Sequence, residues 1–177
     1  MDAGMDTGDI VDTLKFPIPF HRTVAELIKA LEQKGPKFLN DTLRNFAKGL
    51  ITPEKQNENK ATYCQKIEKA DGQIDPFHDS LEDIYAKYRA FALRPKIRFT
   101  LNNKTIIIEK LTLDETRRTN NKGLTLIHHT VSPSQGESRS IAGRGLMRVN
   151  PAITDILLKP EGKKAMNRED FTNGYLK

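Results

Sequence analysis

The stretch that decides the fold is KIRFTLNNKTIIIEKLTL, residues 96–113. Apolar side chains recur at alternate positions on either side of Asn102-Asn103, which is the pattern of half-buried strands. Asn tolerates the positive φ of a tight turn, so the stretch predicts a β-hairpin. LTLIHHT (124–130), GLMRV (145–149) and ITDILL (153–158) predict further short strands. Several short strands within residues 96–177 predict a small barrel.

The N-terminal part of the chain predicts two helices after a short strand. Ile10, Leu14, Phe16 and Ile18 lie at even positions, with Asp12 as the exception, and this alternation predicts the strand. Thr23 and Glu26 have the spacing of a capping box, and Gly35 is typical of the end of a first helix. Pro36 can open a second helix, which Gly49 helps to end.

The middle of the chain predicts a linker and one more helix. Residues 52–61 contain no large apolar side chain, which is typical of a linker. A capped helix begins near Asp79 or Ser80, and Pro95 prevents its continuation. PSQGESRS (133–140) predicts a loop, and a short capped turn follows from Asn167 to Asp170.

Composition excludes several classes of protein. The 177 residues are 37% hydrophobic and 29% charged, which is typical of a soluble globular chain. No apolar run reaches the roughly 18–20 residues of a membrane span, and no signal peptide is visible. The single cysteine, Cys64, excludes an internal disulfide and a cysteine-rich zinc site. We therefore expect a cytoplasmic protein.

Positive charge is concentrated in the C-terminal half. Residues 96–177 carry 15 Lys and Arg against 8 Asp and Glu, whereas residues 1–95 carry 14 against 15. The excess indicates either a polyanionic partner or a solubilising surface. His128 and His129 are adjacent on a predicted strand and point to opposite faces, so the pair does not predict a metal site.

The chain opens with MDAGMDTGDI, residues 1–10, in which acids and glycines form a tight turn. This stretch resembles the acidic loop of formyltransferases. ATYCQKIEKADGQID (61–75) resembles the segment after the interdomain linker of the methionyl-tRNA formyltransferase family, and KPEGKKAMNREDFTNGY (159–175) resembles that family's C-terminal signature. The order and spacing match over essentially the whole chain. The resemblance implies transfer of formyl from 10-formyltetrahydrofolate to the amino group of methionyl initiator tRNA.

For the fold, the resemblance implies an α+β chain with three parts. Residues 1–51 are expected to be a remnant edge of a Rossmann-like formyltransferase domain, with apolar faces left exposed. Residues 52–95 are expected to be a linker and connecting helix, and residues 96–177 an OB-like, tRNA-binding C-terminal barrel.

For the site, Asp6 matches the family's catalytic aspartate, and Asp2, Gly4 and Asp6 are expected to face the folate. The family's Asn-x-His segment comes before that aspartate, and only five residues come before Asp6 here. We therefore expect a truncated C-terminal portion that is inactive alone. A separately encoded N-terminal half is one source of the missing groups.

Basic residues of the C-terminal half are expected to contact tRNA phosphates, which we favour over a solvated basic surface because the excess of positive charge is concentrated in this half. The candidates are Lys96, Arg98, Lys104, Lys110, Arg117, Arg118, Lys163, Lys164 and Arg168. Two other functions stay open: a non-catalytic RNA-binding module, and a formyltransferase that acts on a different amine, such as a sugar nucleotide.

Overall fold

The computed structural model describes residues 4–114, 125–130, 146–150 and 152–176. The chain forms two compact units, Met1–Lys66 and Ile67–Lys177. The domain boundaries predicted after residues 51 and 95 stay predictions. None of the helices among the described residues is both long and apolar enough to cross a membrane.

The first unit is built on one helix, α1 (Val24–Ala47). The predicted capping box at its start is confirmed: the Thr23 hydroxyl accepts from the Glu26 amide, and the Glu26 carboxylate accepts from the Thr23 amide at 2.8 Å. The prediction of two helices is wrong, because Pro36 lies inside α1. Gly35 does not take the left-handed conformation that ends a helix. Pro36 therefore costs α1 one backbone hydrogen bond without breaking it.

The end of α1 follows the sequence prediction. Gly49 has φ +70°. Its amide donates to the Phe46 carbonyl, and the Leu50 amide donates to the Asn45 carbonyl, both at 2.9 Å. This pair of bonds is a Schellman motif, which satisfies the last carbonyls of the helix.

The strand predicted over residues 10–18 is wrong apart from one bridge. Ile10 pairs antiparallel with Glu54, and the two residues exchange backbone hydrogen bonds of 2.9 and 2.8 Å. Pro17 and Pro19 have no amide hydrogen to continue a ladder. Asp12 instead accepts a hydrogen bond from the Thr42 hydroxyl at 3.0 Å.

The second unit begins with a 3-10 turn, Lys69–Gly72, followed by α2 (Leu81–Ala90). The predicted cap of α2 is confirmed, because the Ser80 hydroxyl accepts from the Asp83 amide at 3.1 Å. Leu81, Ile84 and Tyr85 form the buried face of this helix.

Five strands follow as predicted: β1 (Arg98–Leu101), β2 (Lys104–Leu113), β3 (Ile127–Thr130), β4 (Leu146–Val149) and β5 (Ile153–Pro160). Asn102 and Asn103 have φ +49° and +60°, which confirms the hairpin turn. Antiparallel pairing gives a three-stranded sheet in the order β1-β2-β5, and β3 and β4 form a second sheet. In the described residues the larger sheet is open, so a closed barrel is not confirmed. The loop predicted at 133–140 lies outside those residues.

The core of the second unit lies between the larger sheet and the helices α2 and α3 (Arg168–Tyr175). Asn167 caps α3 by accepting from the Asp170 amide at 2.9 Å, as predicted. Phe171 is fully buried and meets Phe99 edge-to-face, with ring centroids 6.5 Å apart. The first unit differs: among its described residues only Ala30 and Thr42 are buried.

Candidate functional site

The acidic loop places Asp6 at the surface of the first unit. Asp6 has φ +58°, a left-handed conformation. For a non-glycine residue this conformation costs roughly 1–2 kcal/mol, although Asp and Asn adopt it more readily than most. Within the described residues nothing hydrogen bonds to its carboxylate. The loop therefore presents an exposed carboxylate on a backbone that has to be held in place.

Side chains inside and outside the loop hold this backbone. The Thr7 hydroxyl donates to the Gly4 carbonyl at 3.1 Å, and a Cβ on Gly4 would come within 2.8 Å of the Thr7 side chain. The Gln56 side-chain amide donates to the Asp6 carbonyl at 3.0 Å and to the Gly8 carbonyl at 2.6 Å. The structure thus brings Gly4 and Asp6 together in one turn, whereas Asp2 lies outside the described residues.

Three predicted tRNA-contacting cations on or beside the hairpin have partners within the second unit. Lys96 forms an ion pair with Glu109. Lys110 Nζ lies 2.6 Å from Asp155 Oδ2, and the hydrogen bond and charge of that carboxylate raise the lysine pKa. Lys104 Nζ lies 5.6 Å from the centre of the Tyr175 ring, a cation–π contact at the tip of the hairpin.

The guanidinium group of Arg98 binds a backbone carbonyl oxygen just before it in the chain. Its Nη2 atom donates to the Pro95 carbonyl, and its Nε atom is buried without a hydrogen-bond partner in the described residues. Arg98 pairs with Ile107, whereas Lys104 pairs with Leu101. Because paired residues share a face, the register places Arg98 and Lys104 on opposite faces of the hairpin.

The cations after β5 are more accessible. Lys163 and Lys164 are exposed, and no carboxylate pairs with either in the part of the chain that the structure describes. They follow the turn at Gly162, whose φ is +71°. Arg168 is half-buried at the start of α3, and its Nη2 atom has no partner among the described residues. Arg117 and Arg118 lie outside those residues.

A groove in the second unit contains two cations that sequence reasoning missed. Its volume is about 570 Å³, and its lining includes Lys69, Arg94 and Arg98. Lys69 lies among charges of both signs, and Arg94 is one of several cations between residues 87 and 104, so neither residue stands out in the sequence. The two segments meet because Ile74 donates its amide to the Arg98 carbonyl at 2.9 Å.

Gly72 allows this close approach. A Cβ at that position would overlap the Lys96 carbonyl oxygen, which is backbone and cannot turn away. The groove therefore depends on a glycine that the sequence alone did not single out. No group of three or more metal-ligating side chains is present among the residues that the structure describes.

The chain is similar to bacterial methionyl-tRNA formyltransferases. It is 35% identical to the enzyme of Sulfurovum sp. (strain NBC37-1) over 174 residues, and 33% identical to that of Pseudoalteromonas translucida (strain TAC 125) over 176 residues. Each alignment covers 98% of this chain and 51% of the relative. The chain thus spans about half the length of the curated relatives it matches.

Solved structures of HypX from Aquifex aeolicus have a similar fold. The complex of HypX with tetrahydrofolic acid superposes with a TM-score of 0.57 at 16% identity, over 99% of this chain and 29% of that protein. A HypX variant with several alanine substitutions gives a TM-score of 0.56 at the same identity, over 99% of this chain and 30% of that protein. At this identity the likeness concerns the fold alone.

Residues 66–176 match the family model of the formyl transferase C-terminal domain. This range covers the second unit except for its last residue, together with Lys66 of the first unit. The chain therefore belongs to the formyl transferase family, and residues 66–176 are its C-terminal domain.

Proposed function

We propose that this chain is part of a methionyl-tRNA formyltransferase, which transfers formyl from 10-formyltetrahydrofolate to the amino group of methionyl initiator tRNA. The observation that carries the proposal is the 31–35% identity to three such enzymes over 98–99% of the chain. The names of these relatives favour a tRNA amine over a sugar-nucleotide amine. A cytoplasmic role in translation initiation belongs to the same proposal.

Asp6 is the residue that we propose takes part in formyl transfer. The amine attacks the formyl carbon and negative charge develops on the formyl oxygen. The amine then loses a proton, the bond between the formyl carbon and N10 of the folate breaks, and N10 takes up a proton. An exposed carboxylate without a hydrogen-bond partner in the described residues suits proton handling or the orientation of a partner group. The folate supplies the formyl group when it is bound, and HypX, a protein of similar fold, has been solved with tetrahydrofolic acid.

A carboxylate alone does not stabilise an oxyanion, because it carries the same charge. Among the described residues, no amide or imidazole side chain approaches the Asp6 carboxylate within hydrogen-bonding distance. We therefore propose that these 177 residues bind tRNA but do not transfer formyl without further groups. Removal of oxyanion donors costs enzymes about 100-fold or more in rate, which agrees with this expectation.

The second unit is the part that we propose holds the tRNA. Lys163 and Lys164 are exposed, and Lys69 and Arg94 line the groove beside Arg98. Such cations neutralise phosphates and release counterions, so they position the nucleic acid without reading its bases. An OB-like fold of the C-terminal domain and a Rossmann-like origin of the first unit remain parts of this proposal.

A complementation experiment tests the catalytic part. The half of the Sulfurovum enzyme that this chain does not match is expressed separately and mixed with the chain, 10-formyltetrahydrofolate and methionyl-tRNA. We expect formyl-methionyl-tRNA from the mixture and none from the chain alone. Asp6→Asn should lower the rate by about 100-fold or more, whereas Asp9→Asn, an exposed acid of the same stretch, should leave it near the unsubstituted value. Equal rates for the two variants would contradict the role of Asp6.

The same experiment tests the second candidate function, a non-catalytic RNA-binding module. What favours that candidate is that the second unit has its own buried core and contains the groove cations. If every mixture fails to formylate while the chain still binds tRNA, the module interpretation replaces the enzyme. Formylation by the mixture would exclude it.

A further inference from the structure

Gln56 lies outside the acidic loop, and its side chain binds the loop's backbone. Its Nε2 atom donates to the Asp6 carbonyl at 3.0 Å and to the Gly8 carbonyl at 2.6 Å. We propose that Gln56 is a positioning residue for Asp6, which it serves by fixing the backbone on both sides of Thr7. This inference rests on the proposed function, because the role of Asp6 in formyl transfer gives the shape of the loop its consequence.

Gln56 reaches the loop through the one antiparallel bridge found among the described residues of the first unit. Ile10 pairs with Glu54, so continuing the register places Gln56 opposite Gly8. The ladder does not continue there, because the chain turns at Asp6 into the left-handed conformation. The Gln56 side chain takes over the pairing that the backbone would otherwise make. Its primary amide has two N–H groups, one for each carbonyl.

The two hydrogen bonds from the Gln56 side chain have a direct consequence for the Asp6 carboxylate. Within the described residues that carboxylate has no hydrogen-bond partner, and the backbone alone sets the direction of the Asp6 Cα–Cβ bond. An aspartate freed from its left-handed conformation returns to the more favourable negative φ, and its side chain then points in another direction. Asp6 itself is an acceptor when ionised, and therefore cannot replace the lost donor. Holding the two carbonyls thus fixes the Cα–Cβ direction from which the reactive group extends.

Variants at position 56 distinguish the effect of the N–H donors from the effect of side-chain size. Gln56→Met keeps the length of the side chain but removes both donors. Gln56→Glu keeps the shape and leaves only acceptors facing two carbonyls. Gln56→Lys keeps N–H donors on a side chain that is long enough to reach them. Gln65→Met is the matched control, since Gln65 is an exposed glutamine of the same unit.

The readout is the carbonyl carbon shift of Asp6 and Gly8 in the labelled 177-residue chain, detected through the amides of Thr7 and Asp9. We expect Gln56→Met and Gln56→Glu to move both carbonyl resonances upfield and to shift the Asp6 Cα resonance. Gln56→Lys should change the two carbonyl shifts by at most half as much as Gln56→Met does. Gln65→Met should change neither resonance. The proposal is overturned if the carbonyl shifts of Asp6 and Gly8 in the Gln56→Met variant are the same as those in the Gln65→Met control. The proposal is also overturned if Gln56→Lys changes the two carbonyl shifts as much as Gln56→Met does.

The outcome of this experiment does not depend on the outcome of the complementation experiment. It needs neither formyl transfer nor tRNA, so a negative result removes Gln56 and leaves the proposal for Asp6 intact. In the complementation mixture, Gln56→Met should lower the maximal rate at least tenfold while the concentration of tRNA at half-maximal rate changes less than twofold. An unchanged maximal rate, in a mixture where Asp6→Asn is inactive, would overturn the positioning role alone.

Discussion

The two units of the chain contain similar helical patterns but bury them to very different extents. In the first unit, Leu39 and Leu43 on α1 are 58% and 57% exposed. In the second unit, Leu81 and Ile84 on α2 are completely buried. Hydrophobic spacing thus predicts where a helix forms, but it does not predict whether the same unit covers its apolar face. The exposed face of α1 agrees with the prediction that apolar side chains of this part of the chain are exposed.

The largest difference between the units is expected from removing one phenylalanine in each. Phe171→Ala should lower the free energy of unfolding by about 3–5 kcal/mol, because it leaves a cavity beside Phe99 and Tyr175. Phe46→Ala, at a position 46% exposed on α1, should cost about 1 kcal/mol or less. Urea unfolding measures both losses: tyrosine fluorescence follows the second unit, which contains Tyr85, Tyr88 and Tyr175, and circular dichroism follows the unfolding of α1. If Phe171→Ala and Phe46→Ala lowered the free energy of unfolding by similar amounts, the two units would not differ as described.

A pair of glycines sharpens the comparison. Gly72→Ala should destabilise the second unit by about 1–3 kcal/mol, because the new methyl group overlaps the Lys96 carbonyl. Gly35→Ala should change the stability of α1 by less than about 1 kcal/mol, because the gain from alanine in a helix interior is offset by contact of its methyl group with the ring of Pro36. Thermal unfolding by circular dichroism should show a clear downward shift for the Gly72 variant and a smaller shift for the Gly35 variant. Shifts of equal size would contradict the close approach described at Gly72.

The smallest expected effect is a pH dependence that both units share. Hydrogen bonds from the Phe77 amide and the His78 side chain lower the pKa of Asp75. In the first unit, the Thr23 amide and hydroxyl lower the pKa of Glu26. A carboxyl whose pKa is lower in the folded chain stabilises it above the unfolded pKa, and this stabilisation is lost as the pH falls through the folded value.

Substitution of each carboxyl measures its share of this acid dependence. Asp75→Asn and Glu26→Gln should each reduce stability at neutral pH, and the difference from the unsubstituted chain should shrink below about pH 4, where the unfolded carboxyls begin to protonate. Urea midpoints from acid to neutral pH provide the test. A difference that grows as the pH falls would reverse the sign and contradict these pKa directions.

Much of the fold is predictable because its signals are local. The capping box of Thr23, the cap of Ser80 and the Asn102-Asn103 turn each lie within four residues of the groups they bond. Pro36 inside α1 was not predictable, because a proline lowers helix stability without forbidding the helix. The strand at 10–18 failed for a different reason: alternation was present, but only Ile10 found a partner strand.

The site was predictable only where its residues form a motif. Asp6 stood out by resemblance, whereas Gln56 meets it from 50 positions further along the chain. Lys69 and Arg94 are likewise brought to one groove by Gly72 and a backbone pairing. Long-range contacts of this kind leave no periodic signal, and therefore only a three-dimensional structure reveals them.

The most direct test of the account is the salt dependence of tRNA binding by the 177-residue chain. If cations of the second unit contact phosphates, the logarithm of the affinity should fall linearly with the logarithm of the salt concentration. Lys163→Gln/Lys164→Gln should reduce that slope by about two, one for each lost phosphate contact. Lys29→Gln/Lys48→Gln removes two exposed lysines of the first unit and should leave the slope unchanged. Salt-independent affinity, or an equal loss of slope in both double variants, would contradict the account.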